Sequence, residues 1–463
     1  MIHTQLHPSK IEGLRNSLRG EIILPGDATY ESARKIWNAM IDKRPSAIIR
    51  CLATSDVVHA VNYARESGSM LAIRGGGHNI GGSALADDGI VIDLSQMKAV
   101  SIDPVKRRVT TLGGATLGDL DAATQAHGLA TPVGINSTTG IGGLALGGGF
   151  GWLSRKYGMT IDNLESVEVV TASGEVLRAS VSEHPDLFWA LRGGGGNFGV
   201  VTRFEFRLHP VGPDVLSGLI VYPLSEAKQV LQRYRDFAAT APDDLSVWVV
   251  LRQAPPLPFL PQEVHGQGVV VLAVFYAGDP KQGASLIEPL RKFGTLVGEH
   301  VGVQPYTTWQ QAFDPLLATG ARNYWKSHNF STLDDGLFDV VIESTNRQPS
   351  SQCEIFLAAL GGATARPSPD SAAYPHRDVQ FVINVHGRWE DSADDTRGID
   401  WARGFFNAAA PFASGGVYVN FLTADEGGRV RAAYGPNYDR LTRTKRKYDP
   451  NNLFRMNQNI QPS

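Results

Sequence analysis

The stretch LAIRGGGH, residues 71–78, places three consecutive glycines between a short apolar run and a histidine. The apolar run predicts a buried strand, and the glycines predict a sharp turn after it, because glycine tolerates a positive φ and close approach of the backbone. The amide N–H groups of such a turn form a concave site that suits an anion such as a pyrophosphate. His78 would then lie close to whatever this loop binds. The alternative is a histidine that only packs in the core or on the surface.

Two further glycine clusters follow, GINSTTGIGGLALGGGFG at residues 134–151 and LRGGGGNFGVV at residues 191–201. The chain has 50 glycines in 463 residues, above the ordinary share of about 7%. The first cluster predicts a loop system shaped around a flat or extended ligand, with a structural glycine hinge as the alternative. In the second, Gly194, Gly196 and Gly199 satisfy G-x-G-x-x-G. A helix pattern precedes this motif and a strand pattern follows it, the reverse of the Rossmann order, so we exclude that fold.

The organisation of the chain follows from its apolar patterns. Strand-like and helix-like patterns alternate over residues 20–210 and predict one α+β domain. Strand-like runs at residues 246–252 and 269–276 open a second sheet domain that extends to about residue 405. The proline-rich interval 255–261 lies between these two runs and predicts a connecting loop, with a polyproline ligand for a partner module as the alternative.

Composition excludes several classes of function. Lys+Arg 43 against Asp+Glu 46 give a net charge of −3, which offers no basic excess for nucleic acid or anionic membranes. Two cysteines, Cys51 and Cys353, cannot form a disulfide framework, and no short Cys/His spacing predicts a metal site. Residues 1–20 lack the apolar core of a signal peptide, and no window approaches ~18 apolar residues. We therefore expect a cytoplasmic protein without a membrane span that acts on small molecules.

The glycine motifs occur in one order with several other short motifs, namely TASGE (171–175), DLFWA (186–190), KYDPNNLF (447–454) and NQNI (457–460). This set resembles the vanillyl-alcohol-oxidase superfamily, and within it the berberine-bridge-enzyme-like oxidases. The similarity is to the bacterial subgroup with a single histidyl link, which includes enzymes like 6-hydroxynicotine oxidase and enzymes that form a flavin N(5)-oxide. The resemblance covers essentially the whole chain.

This resemblance implies an α+β fold with two domains and a returning tail. The implied parts are a two-subdomain FAD-binding domain of the PCMH type at residues 1–210 with its core at about 40–210, an α/β substrate domain with an antiparallel sheet at 211–404, and a C-terminal segment at 405–463 that returns to the FAD domain.

The resemblance also implies the cofactor and the residues that hold it. His78 is implied to carry FAD through the flavin 8α-methyl group, and a neutral imidazole is a suitable nucleophile for that bond. The other implied FAD-binding residues lie in the glycine motifs and the C-terminal segment: Arg74, Gly75, Gly76, Gly77, Asn79, Asn136, Thr138, Thr139, Gly142, Gly143, Leu144, Gly148, Gly149, Gly196, Asn197, Gly199, Val200, Val201, Tyr418 and Asn420.

The sequence departs from the family pattern at two positions. Many members form a second flavin link through a cysteine that aligns with Asn136, so a single covalent bond is expected here. Many members also use a Tyr-x-Asn-Tyr run whose second tyrosine is the base. Here the run is Tyr418-Val-Asn420-Phe421, and Phe421 cannot accept a proton. Asn420 remains a candidate catalytic residue.

Another group must then accept the substrate's proton, and the predicted middle sheet offers candidates. Glu354 and Tyr324 are the main ones, with Lys326 and His386 as further titratable residues on suitable segments. Glu354 alternates with Phe356 and so shares its face of the strand, and burial is expected to raise the pKa of this carboxyl toward neutrality. The alternative for Glu354 is a surface carboxylate. If the substrate is an amine, no base is needed.

These residues predict an FAD-dependent oxidase that takes hydride from a CH–OH or CH–N group and reduces O2 to H2O2. Thr139 and Leu144 are implied to shape the oxygen pocket. One alternative is an oxygenase or biosynthetic oxidative enzyme of the flavin N(5)-oxide type, and another is a non-catalytic flavin-binding protein. The expected partners are a small-molecule substrate and O2, without nucleic acid or membrane, in a monomer or homodimer.

Overall fold

The computed structural model describes residues 8–463 of the chain. Within these residues the strands are β1 (Glu21–Ile23), β2 (Ala47–Arg50), β3 (Leu71–Arg74), β4 (Ile90–Asp93), β5 (Val100–Asp103), β6 (Arg108–Leu112), β7 (Leu129–Ala130), β8 (Leu164–Val170), β9 (Val176–Ser180), β10 (Val200–Arg207), β11 (His209–Pro210), β12 (Asp214–Pro223), β13 (Leu245–Gln253), β14 (Gly268–Tyr276), β15 (Gly298–Pro305), β16 (Arg322–Phe330), β17 (Glu354–Ala359) and β18 (Phe381–Trp389). The α-helices are α1 (Pro8–Ser17), α2 (Tyr30–Ala33), α3 (Thr54–Ser67), α4 (Leu117–Gln125), α5 (Ile141–Leu146), α6 (Ser154–Tyr157), α7 (Pro185–Leu191), α8 (Ala227–Ala238), α9 (Pro280–Ile287), α10 (Tyr306–Gln310), α11 (Asp335–Asn346), α12 (Asp395–Ala409), α13 (Val430–Tyr434) and α14 (Tyr438–Tyr448).

A four-stranded sheet in the order β1-β2-β4-β3 carries the first glycine motif. Strands β2, β4 and β3 run parallel, and α3 connects β2 to β3 across one face. The helix ends at Gly68 in the left-handed conformation with φ of 67°, which glycine adopts without strain. Strand β3 ends at Arg74, so the loop GGGH begins at the carboxyl edge of this sheet, as the sequence predicts.

A five-stranded antiparallel sheet in the order β5-β6-β10-β8-β9 carries the third glycine motif. The glycines at 193–196 and 199 come directly before β10, which begins at Val200. Helix α7 precedes them and buries Leu187, Phe188 and Trp189. This order, helix then glycines then strand, agrees with the argument against a Rossmann motif.

A seven-stranded antiparallel sheet in the order β15-β12-β14-β13-β17-β18-β16 forms the second sheet domain. Its strands alternate between two environments because successive side chains point to opposite faces. On β13, Val249 and Leu251 pack in a core with α8, α11 and α12, whereas Trp248, Val250 and Arg252 face a cavity. The predicted α+β fold with an antiparallel sheet is confirmed, and the division into domains at residues 210 and 404 stays a prediction.

The C-terminal segment contacts the loop before β10 through a buried lysine. Lys445 Nζ donates to the carbonyl oxygens of Asn197 and Phe454 at 2.8 and 2.9 Å and pairs with Asp449 Oδ2 at 2.6 Å. Asn197 Oδ1 accepts from the backbone N–H of Ile460 at 3.0 Å. A buried ion pair is tolerated only where its remaining hydrogen-bonding capacity is satisfied, so these contacts hold the segment in one position.

Candidate active site

One cavity of about 410 Å³ lies between the glycine loops and the seven-stranded sheet. Its wall includes most of the residues that the sequence indicates: Gly75, Gly76, Gly77, His78, Asn79, Asn136, Thr139, Gly142, Gly143, Leu144, Gly196, Gly199, Val200, Val201, Glu354, Tyr418 and Asn420. Three glycine loops that lie far apart in the chain therefore meet around one space.

Glycine is required where two of these loops cross. A Cβ on Gly76 would collide with the backbone of Gly140, and a Cβ on Gly140 would collide with that of Gly76. Gly77 has a φ of 71°, in the left-handed region. Gly143 and Gly196 are not required by close packing, because a Cβ at either position would meet no heavy atom within 4 Å. Both line the cavity and leave its wall open to a close-fitting ligand.

His78 is held by a short chain of hydrogen bonds. Thr138 Oγ1 donates to Asn136 Oδ1 at 2.7 Å and lies 2.9 Å from His78 Nε2. Because the single hydroxyl proton of Thr138 is used toward Asn136, His78 Nε2–H must be the donor to Thr138, and Nδ1 keeps its lone pair. The indole of Trp37 stacks on the imidazole at 5.2 Å between centroids. Desolvation lowers the pKa of His78 to about 4, so the ring is neutral at pH 7.

Some residues implied to bind FAD have other roles. Arg74 pairs with the buried Asp93 at 2.5 Å beneath the loop and does not line the cavity. Asn197 is buried, and its side chain bonds the C-terminal segment. Gly148 and Gly149 lie behind the wall, where the N–H of Gly149 donates to Tyr418 Oη at 2.9 Å. These residues lie outside the cavity wall. Thr138 also lies outside the wall, and its hydroxyl contacts His78 and Asn136.

Tyr418 and Asn420 form a fixed pair at the cavity wall. Asn420 Nδ2 donates to Tyr418 Oη at 2.9 Å and to the carbonyl of Leu144 at 3.1 Å. Burial raises the pKa of Tyr418 to about 12. Phe421 packs edge-on against Tyr418 and Trp325, with centroids 4.9 and 5.5 Å apart. Tyr418 therefore keeps its proton at neutral pH, and the site has no phenol at position 421.

Glu354 lies at the cavity wall beside two basic side chains. Its Oε2 accepts from Arg252 Nη1 at 2.7 Å, and its Oε1 lies 3.8 Å from His386 Nδ1. Burial raises the pKa of this carboxyl, but Arg252 and His386 together lower it more, so its pKa lies below the usual range. The expectation of a pKa raised toward neutrality is wrong, because the sequence does not reveal Arg252 as a partner. The placement of Glu354 in the cavity, in contrast, agrees with the expected face of the strand.

Tyr324 and Lys326 lie outside this cavity wall, unlike Trp325 between them. Tyr324 Oη donates to Asp425 Oδ2 at 2.8 Å, and Lys326 Nζ lies 3.1 Å from Asp425 Oδ1. Burial, with Asp425, raises the pKa of Tyr324. The structure thus places Tyr324 and Lys326 beside Asp425 and away from this cavity wall, and a catalytic role for either residue stays a prediction.

Several functional candidates were missed by sequence reasoning. Trp37 lies in an irregular segment, and Arg252, Trp248 and Trp325 lie on strands whose pairing determines what they face. One sequence signal was available: Trp248, Val250 and Arg252 alternate along β13, and this spacing predicts that they share one face of the strand.

Among residues 8–463, no group of three His, Cys, Asp or Glu side chains is arranged to hold a metal ion. In the same part of the chain, no helix combines the length and apolar character needed to cross a membrane.

Comparison with known proteins agrees with this architecture. The profile of an FAD binding domain family matches residues 45–180, and the profile of the berberine and berberine-like family matches residues 417–461. An FAD-linked oxidoreductase of Dictyostelium discoideum is 32% identical over 451 residues, covering 96% of this chain and 95% of that protein. The (R)-6-hydroxynicotine oxidase of Paenarthrobacter nicotinovorans is 31% identical over 458 residues, covering 96% and 97%. The crystal structure of 6-hydroxy-D-nicotine oxidase from Arthrobacter nicotinovorans matches with a TM-score of 0.86 at 30% identity, covering 96% and 99%.

The chain has a PCMH-type α+β fold around a glycine-lined cavity, and both family profiles match it. These features define an FAD-dependent oxidoreductase. The chain belongs to the berberine-bridge-enzyme-like FAD-linked oxidases, and the resemblance inferred from its motifs is confirmed.

The residues of the cavity fit FAD. Gly143 and Gly196 leave the wall open where a side chain would fill it. Asn457 also lines the cavity, and within residues 8–463 its Oδ1 has no hydrogen-bond partner. The glycine loops would hold the cofactor through backbone amides, and His78 would lie beside it.

Proposed function

We propose that this protein oxidises a CH–OH or CH–N group of a small organic substrate and passes the electrons to O2, giving H2O2. Bound FAD supplies the acceptor for the substrate hydride and the route of two electrons to O2. The observation that carries the proposal is one cavity with a neutral imidazole, His78, on the glycine-loop side and a carboxylate–imidazole pair, Glu354 and His386, on the sheet side. The substrate loses a hydride and a proton, and O2 gains two electrons and two protons.

We further propose that His78 forms a single covalent bond to FAD through Nδ1. The bond would replace one C–H bond of the flavin 8α-methyl group, the imidazole would give up its Nε2 proton, and O2 would take up the two hydrogens and two electrons as H2O2. The contact of Nε2 with Thr138 leaves Nδ1 with a lone pair, and the low pKa keeps it unprotonated at neutral pH. A neutral nitrogen with a directed lone pair is the form that can act as nucleophile. Asn136 stands where many relatives are implied to have a second, cysteinyl link, and here its carboxamide orients Thr138.

The proton acceptor in this proposal is the Glu354–His386 pair. Asn323 Nδ2 donates to the carbonyl of Ala321 at 2.7 Å, which turns Asn323 Oδ1 toward His386 Nε2 at 3.0 Å. Nε2 is then the protonated nitrogen, and the lone pair of Nδ1 faces Glu354. The ionised carboxylate stabilises a proton arriving at Nδ1, so the pair can hold the proton released from a substrate hydroxyl.

The function is tested by anaerobic mixing of the purified holoenzyme with aromatic alcohols, cyclic amines, phenols and sugars. At least one class is expected to bleach the flavin absorbance. Admission of O2 should then restore the absorbance with one H2O2 formed per flavin reduced. Incorporation of labelled oxygen into the product without release of peroxide would instead identify the oxygenase alternative. Absence of bleaching by every class would contradict the oxidase proposal.

Thr138→Val is expected to slow covalent attachment of FAD about tenfold, because one hydrogen bond of about 1.4 kcal/mol no longer selects the reactive tautomer of His78. The measurement follows flavin that stays bound to denatured protein after FAD is added to apoprotein. Thr138→Ser keeps the hydroxyl and should attach FAD at the rate of the unaltered protein. Equal rates for the valine and serine variants would show that Thr138 does not position His78.

Thr139→Ile is expected to slow reoxidation of the reduced enzyme by O2 at least about tenfold, a barrier increase of about 1.4 kcal/mol. Thr139 lines the cavity, and its backbone N–H donates to the carbonyl of Asn136 at 3.1 Å, so a larger side chain at this held position would fill space that O2 needs. Stopped-flow mixing with aerated buffer measures the rate, and Thr139→Ser is the control that keeps the space. Reoxidation of the isoleucine variant at the unaltered rate would refute this role.

A further inference from the structure

The sheet side of the cavity changes from charged to aromatic along β13. Arg252, Val250 and Trp248 are alternate residues that all line the cavity, and four residues of antiparallel strand span about 14 Å. The register pairs Arg252 with Glu354 and Val250 with Phe356 across β17. We call the sheet side of the cavity its floor. The floor has a charged row at one end, which begins with Arg252 and Glu354, and apolar rows beyond it, which contain Val250 with Phe356 and then Trp248.

The charged row crosses three neighbouring strands. Arg252 on β13 pairs with Glu354 on β17, which lies opposite His386 on β18. This row presents a guanidinium and a carboxylate side by side, which suits a group that both accepts and donates hydrogen bonds, such as a hydroxyl. Only one such row reaches the cavity floor in the described part of the chain.

The opposite end of the floor is aromatic. Trp248 lies 4.6 Å from Trp152 and 6.1 Å from Phe356 between ring centroids, and the planes of Trp248 and Phe356 are parallel within 8°. Between the rows, Val250 faces Val271 on β14, and Ala273 lies opposite Trp248. The indole N–H groups of Trp248 and Trp152 are the polar groups at this end and have no hydrogen-bond partner in the described part of the chain. Two donors cannot pair the many hydroxyls of a sugar, and each hydroxyl left unpaired there would be costly.

We propose that the substrate is a planar aromatic molecule of two or more rings that carries one polar, oxidisable group at its end. The polar group lies at the Arg252–Glu354–His386 row and the ring system extends over Val250 and Phe356 to Trp248. This inference rests on the proposed function, because it assumes that the molecule bound in the cavity is the substrate. What it predicts, however, is which molecules bind. It is therefore tested by binding, with a ligand that has no CH–OH or CH–N group.

The probe is 2-naphthol, whose hydroxyl-bearing carbon has no hydrogen to give up, and phenol and cellobiose are the comparison ligands. Titration of the oxidised holoenzyme, followed by isothermal calorimetry, is expected to show 2-naphthol binding at least about tenfold more tightly than phenol, because the second ring is buried on the apolar rows. Cellobiose should bind more weakly than either. Cellobiose binding as tightly as 2-naphthol would overturn the proposal.

Two substitutions locate the ring system. Trp248→Leu should weaken 2-naphthol binding about tenfold and change phenol binding less than about threefold, because only the larger ligand reaches Trp248. Val250→Phe should likewise exclude 2-naphthol and still admit phenol. Trp309→Leu is the matched control, since Trp309 packs on Trp152 at 5.3 Å but does not line the cavity.

The outcomes separate this inference from the proposed function. Retained flavin and an unchanged melting temperature show that each variant is folded. Binding of 2-naphthol by Trp248→Leu and Val250→Phe with the affinity of the unaltered protein would overturn the inference. If the expected binding pattern is found but no compound bleaches the flavin, the oxidase proposal fails and the aromatic binding preference stands.

Discussion

His78→Ala is expected to abolish flavin that survives denaturation, while the folded variant still binds FAD through the glycine loops. In the unaltered protein the yellow, fluorescent band should remain on a denaturing gel, and the flavin should map to the peptide that contains His78. This expectation rests on the proposal that the imidazole is the nucleophile. It is neutral because desolvation lowers its pKa to about 4, and the contact of Nε2 with Thr138 directs Nδ1 as the free nitrogen.

The matched control is His209→Gln. Burial also lowers the pKa of His209 to about 4, but this ring stacks on Tyr157 at 3.9 Å and does not line the cavity. The control variant should keep its covalent flavin. Complete loss of colour on acid precipitation of the unaltered protein would contradict the covalent link, and covalent flavin in His78→Ala would assign the link to another residue.

Glu354→Gln is expected to lower the rate of anaerobic flavin reduction by an alcohol substrate by about 10²-fold or more, the usual contribution of a positioned base. The amide keeps the shape of the carboxylate but cannot stabilise a proton at His386 Nδ1, 3.8 Å away. The fold and the bound flavin should be retained, as measured by absorbance and thermal unfolding. The rate is measured by stopped flow at saturating substrate.

Glu299→Gln is the control for this substitution. Glu299 lies on β15 of the same sheet and pairs with Arg291 Nη2 at 2.7 Å, as Glu354 pairs with Arg252, but it does not line the cavity. Its reduction rate should equal that of the unaltered protein. A rate for Glu354→Gln within about threefold of the unaltered value would remove Glu354 from the mechanism and favour an amine substrate that needs no base.

Much of the cofactor half of the site is evident from local sequence. The glycine motifs at residues 75–77 and 140–149 and the histidine that follows the first are short, contiguous patterns, and their function depends on backbone freedom that only glycine has. The expected α+β fold and the place of His78 in the cavity follow from such local rules. The sequence alone does not show that Thr138 and Asn136 orient that histidine, because the hydrogen bond to His78 joins residues 60 positions apart.

The sheet side of the site depends on pairing between distant strands. Arg252, Glu354 and His386 meet only through the register of β13, β17 and β18, and this partnership reverses the direction expected for the pKa of Glu354. Strand pairing also determines that Trp325 faces the cavity and that its neighbour Tyr324 does not. A shift of one residue in a strand exchanges its two faces, and long-range contacts determine the register. The sequence by itself thus determined the family, the glycine loops and the position of His78, and only the tertiary structure decided which side chains of the sheet face the cavity.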